Sequence, residues 1–94
     1  MLVMHEVTFV SHALCDYLRP IAGNEEVLVM DQDNQAGEWL NAIAWGLAVC
    51  VERGISLPPL FVEKIFNLDI ADNEERALIH DQLSRLPQWF PLAS

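Results

Sequence analysis

Val3, Val7, Val10, Leu14 and Leu18 recur at steps of four, three, four and four, and Phe9, Ala13 and Tyr17 widen the stripe. The spacing predicts an amphipathic helix over about residues 4–18, with Pro20 expected to stop it. Its β-branched Val3, Val7, Thr8 and Val10 make that helix dependent on packing. Gly23-Asn24 marks a turn, Asn24 being a candidate cap for a short helix with Glu25 and Glu26 in its first turn. Val27-Leu28-Val29-Met30 fits a buried strand as well as a helical turn, and helix is preferred because no second strand-like run could pair with it. Asp31-Gln32-Asp33-Asn34-Gln35 then reads as a polar, acidic loop.

From about Gly37 to Arg53 the chain is apolar almost all round, the pattern of a helix enclosed by others. Ala42, Ala44, Gly46 and Ala48 would let neighbours approach closely, and Gly54 suits the left-handed position that ends helices. Trp45 is expected in the core; Trp39 is expected either there, the preferred place, or at the rim of the acidic loop. Pro58-Pro59 suits a first helical turn, continued by Leu60, Phe61, Ile65 and Phe66 to about Asn67. Asp72-Asn73-Glu74-Glu75 reads as a variant capping box, followed by Leu78, Ile79, Leu83 and Leu86 on one face and closed by Pro87. Trp89 and Phe90 lie beyond it and are expected to fold back over the bundle end. These elements predict an all-α fold, a small antiparallel bundle of four to five helices forming a single helical domain over residues 1–94.

Composition sharpens this picture. Fourteen acidic residues against 5 basic ones give a charge of −9, while 52% of the 94 residues are hydrophobic, enough for one folded core and too little chain for a multi-domain enzyme. With Arg19, Arg53, Lys64, Arg76 and Arg85 as the whole cationic complement, direct nucleic-acid binding is not expected, and the partner should present a basic surface. Trp39 to Val51 is interrupted by Asn41 and too short to cross a bilayer. Met1 to Val10 already includes His5 and Glu6 and does not resemble an export signal, so a soluble cytoplasmic protein without membrane association is expected. Cys15 and Cys50 fall within apolar patterns and are expected as buried, reduced thiols.

Chemical constellations are sparse. His5, His12 and Asp16 could share a face as metal ligands, but solvated polar residues beside an apolar stripe explain the same pattern. His12 and Cys15 could form a nucleophile pair, although Cys15 falls near the packed stripe and no oxyanion hole is evident. His80 beside Asp81 reads as a surface imidazole, and the scattered glycines exclude a phosphate loop. No catalytic, metal or cofactor site is therefore expected. What remains is the distribution of acids: Glu25, Glu26, Asp31, Asp33 and Glu38 without an intervening cation, and Asp69, Asp72, Glu74 and Glu75 relieved only by Arg76. Dipole stabilisation at helix N-termini accounts for Glu25, Glu26, Glu38, Glu74 and Glu75 but not for Asp31 or Asp33. Glu25, Glu26, Asp31, Asp33, Glu38, Trp39, Asp72, Glu74 and Glu75 are accordingly the candidate partner-binding residues.

Gly37-Glu38-Trp39, the Ala-rich helix after it, Glu52-Arg53-Gly54-Ile55-Ser56-Leu57-Pro58 and a helix ending near Asn67-Leu68 together resemble small helical immunity proteins of bacterial toxin systems, among them the contact-dependent growth inhibition and Maf-type families. The resemblance covers about residues 35–68. It implies a cytoplasmic, non-catalytic protein that binds the C-terminal toxin domain of a delivered effector, often a nuclease, and blocks its active site. It carries over to Glu38 and Trp39; the remaining acids rest on the charge pattern. An acidic, DNA-mimicking phage-type inhibitor of a host defence or nucleic-acid-binding protein shares the same acidity and is the alternative.

Overall fold

Five helices follow one another in the computed structural model, which describes residues 5–89: α1 (Glu6–Ala22), α2 (Asn24–Gln35), α3 (Trp39–Arg53), α4 (Pro59–Phe66) and α5 (Asn73–Ser84). No strand occurs among the described residues, so Val27 to Met30 are helical. Helix α3 packs against α1, α2 and α5, while α4 contacts α1 and α5. The fold is thus the expected small all-α bundle, and none of its described helices is long and apolar enough to cross a membrane.

The core follows the periodic positions. Val10, Leu14 and Leu18 of α1, Val27 and Met30 of α2, Ile43, Leu47 and Cys50 of α3, Ile65 of α4 and Ile79 and Leu83 of α5 form one buried cluster. Gly46 lets α1 and α2 approach α3: a Cβ there would stand 2.8 Å from Met30 Cε and 3.0 Å from Leu14 Cδ2.

Five expectations about the helices need correction. Helix α1 runs through Pro20 to Ala22. Pro20 deprives only the Asp16 carbonyl of its donor; both residues are exposed, and Gly23 N–H then closes the helix on Arg19 O at 2.9 Å. The presumed loop Asp31–Gln35 is instead the last part of α2, whose cap position is Gly23 and not Asn24. Val27, Met30 and Asn34 make a buried stripe there, and α1 supplies polar partners to two residues of this segment, Ser11 to Asn34 and Arg19 to Asp31. Trp45 is 41% exposed, its indole N–H donating to Glu26 O at 3.0 Å. Leu78, placed on the inner face of α5 by its pattern, is 52% exposed. Trp89 is half-buried and borders a groove with Leu57, Val62 and Leu86, as folding back requires; Phe90 lies outside the described residues.

Candidate functional site

The turn between α2 and α3 ends α2 in a Schellman arrangement. Gly37, at φ 77°, takes the left-handed position. Its N–H reaches Asn34 O at 3.2 Å, and Glu38 N–H reaches Asp33 O at 2.8 Å. This geometry fixes Glu38 and Trp39 at the start of α3. On the opposite side, buried Leu68 and Ile70 alternate with exposed Asp69 in the link to α5. Asp72 then caps α5 by accepting from Glu75 N–H at 2.9 Å, setting Glu75 in the first turn.

These two junctions meet. Glu38, Trp39, Asn41, Asp69 and Glu75 border a cleft of about 230 Å3, with Val7 and Leu40 contributing apolar wall. Asn41 Nδ2 donates to Glu38 Oε2 at 3.4 Å. Trp39 is half-buried, its ring tilted 50° against His12 at a centroid distance of 5.7 Å, so the rim position and not the core is its place.

The charge of the cleft is not offset by side chains. All 5 Lys and Arg residues are described: Arg19, Arg53, Lys64 and Arg85 pair with Asp31, Glu26, Glu6 and Asp81. Arg76 donates to Ile70 O and Asn73 Oδ1. Glu38, Asp69 and Glu75 therefore have no cationic side chain within ion-pair distance among the described residues. The N-termini of α3 and α5 approach the cleft, but each dipole end supplies only about +0.5 charge. The balance stays negative against three carboxylates.

The structure thus divides the sequence-derived candidates. Glu38 and Trp39 of the first acidic group meet Glu75 of the second. Glu25 and Glu74 are exposed elsewhere on α2 and α5. Glu26 stands 3.9 Å from Arg53, Asp33 is half-buried on α2, and Asp72 is committed to its cap. Asp31, one of the two acids that dipole stabilisation did not explain, is held by Arg19 at 2.7 Å, a contact that lowers its pKa. Asp69 joins the cleft although, of the second acidic group, it alone was left out of the candidate partner-binding residues; the alternation of Leu68, Asp69 and Ile70 was the further signal that it faces outward.

The potential nucleophile pair is not assembled. Cys15 Sγ donates to Asp31 Oδ1 at 3.2 Å, while His12 faces Trp39. Burial first, and the hydrogen bond to Asp31 next, push the Cys15 thiol up to about 11, which favours the unreactive protonated form. His5, His12 and Asp16 do not form a metal-binding group among the described residues.

Comparison of the chain with protein-family models, curated proteins and solved structures returns no match.

Proposed function

We propose that this chain is a non-catalytic immunity protein that neutralises a basic, nuclease-type bacterial toxin domain by presenting the acidic cleft at the α3 and α5 N-termini. The observation that supports this reading is the meeting of Glu38, Asp69 and Glu75 beside Trp39 with no cationic side chain to offset them. A nuclease groove built for phosphates carries clustered Lys and Arg, and such a side chain can enter the cleft with its stem along Trp39 and its charge among the carboxylates. Opposite charge also accelerates encounter, by about 10- to 1000-fold at low salt.

Co-expression with the toxin encoded beside its gene tests the proposal. The parent chain should protect cells and co-purify with the toxin, and charge reversal by Glu38→Lys with Glu75→Lys should slow association and flatten its dependence on salt. Absence of both protection and toxin recovery would overturn the function; unaltered association of the double variant would overturn the cleft as its site.

A further inference from the structure

The acidic cleft does not end at Glu75. It shares Leu40, Asn41 and Glu75 with a shallow hollow over Ala44, and that hollow shares Leu78 with a third depression of about 320 Å3 over Ala48. The three follow the seam of α3 and α5 from Glu38 to Glu52, which at the α-helical rise is roughly 20 Å, or about four helical turns. Asn41, Ala48 and Glu52 are the exposed residues of α3 along this seam, and Leu78 of α5 is 52% exposed, whereas the indole of Trp45 is turned to α2.

Charge brackets this apolar middle. Glu38, Asp69 and Glu75 stand at one end; Glu52 and Asp81 stand at the other, where Arg85 pairs with Asp81 at 2.9 Å. On the α5 wall, Gln82 donates Nε2 to Ala44 O at 3.2 Å and leaves its buried Oε1 with no partner among the described residues. We infer that the seam docks an amphipathic helix of a cationic partner protein, with apolar side chains over Ala44, Ala48 and Leu78 and Lys or Arg at both ends. The inference rests on the proposed binding of a basic protein and specifies the element of that protein that docks. A second copy of the chain, itself carrying a net charge of −9, is repelled as a whole and does not complement the acidic ends of the seam. Phe9 and Leu60 border another apolar hollow between α1 and α4, but its one rim cation, Lys64, is paired with Glu6 and selects no charged partner.

The probe is a synthetic helical peptide of about 15 residues, with Leu at i, i+3, i+4 and i+7 and Lys elsewhere, titrated by NMR into the isotope-labelled full chain beside a scrambled peptide of equal composition. The helical peptide should bind at least about tenfold more tightly than the scrambled one, with shifts centred on Asn41, Ala48, Glu52 and Leu78. Ala48→Arg and Leu78→Lys should each weaken it about tenfold or more, whereas Glu63→Lys on exposed α4, with a larger change in net charge, should not. Both target side chains are exposed; circular dichroism reports whether each variant folds, and either folded variant suffices for the comparison. Equal binding of the two peptides, shifts centred on Phe9 and Leu60, or full affinity in the folded variants overturns the inference. A concentration-dependent dimer abolished by Ala48→Arg also overturns it, making the seam a homodimer interface. Toxin binding that is lost in Glu38→Lys with Glu75→Lys but unchanged in Ala48→Arg removes the docked helix and leaves the acidic cleft standing.

Discussion

Arg19 grips Asp31 across the α1–α2 interface with both terminal guanidinium nitrogens, Nη2 to Oδ1 at 2.7 Å and Nη1 to Oδ2 at 3.1 Å. The two side chains are 37% and 32% exposed, so solvent screens the pair, but its two-point geometry fixes one helix against the other. The hydrogen bonds from Arg19 are the main reason the Asp31 carboxyl lies below its ordinary value of 3.8. Its contribution to stability is therefore complete above that value and fades as pH falls through the lowered folded value. Asp31→Asn should lower the melting temperature modestly at neutral pH, and the gap from the parent should close on acidification. Association with a basic partner should stay at the parent rate, in contrast to Glu38→Lys. A pH-independent gap would refute the ionic role of Asp31.

Ser11 and Asn34 form the buried polar counterpart of that pair. Ser11 is 0% and Asn34 6% exposed, and the Ser11 hydroxyl donates to Asn34 Oδ1. Ser11→Ala removes the donor and leaves a buried carbonyl oxygen short of a partner, at a cost of about 1–3 kcal/mol. Replacing both residues, Ser11→Ala with Asn34→Leu, should recover part of the loss because no orphaned polar atom remains. Chemical denaturation of the two single variants and the double variant measures the interaction as a cycle. Strict additivity would exclude a direct interaction.

These two contacts also explain what was legible in the chain and what was not. The bounds of α3 and α4 followed from Gly37, Gly54 and the Pro58-Pro59 pair, whose backbone preferences act locally. Asp31 to Gln35 read as a loop because their helical state depends on partners twelve and twenty-three residues away, Arg19 and Ser11. No local propensity carries that information. In α3, nearly continuous apolar character concealed which side faced solvent. Asn41 and Glu52 are exposed and share a stripe with Trp45, so they marked the outward face that the bulk of the indole obscured. The cleft was half-legible: both acidic groups could be seen, but the packing of α5 against α3 brings only Glu38, Asp69 and Glu75 together.

Asp72 separates structural acidity from functional acidity. Its carboxylate accepts the Glu75 N–H at 2.9 Å, so Asp72→Ala should cost about 1 kcal/mol, while Asp72→Asn should retain most of the cap. Thermal denaturation compares the two. Because Asp72 secures the turn that carries Glu75, Asp72→Ala should also weaken partner binding, with Asp72→Asn restoring it despite the lost charge. Equal binding defects in both variants would instead make the Asp72 charge itself part of the interface.

Cys15 and Cys50 couple the core to alkaline pH. Burial is the first cause in each case, and both thiols are pushed up from an ordinary value of 9.0 to about 11. Between those values the unfolded chain loses thiol protons that the folded chain retains, so stability should fall as pH rises from 9.0 to about 11 and this contribution should level off above it. Cys50, 0% exposed, gives the cleaner test because burial alone raises its pKa. Cys50→Ala should reduce stability at neutral pH through the small cavity it leaves, yet show a shallower decline on the alkaline side. Urea midpoints measured from pH 8 to pH 11 separate the two effects. A Cys50→Ala curve parallel to the parent throughout would show that the alkaline loss arises elsewhere in the chain.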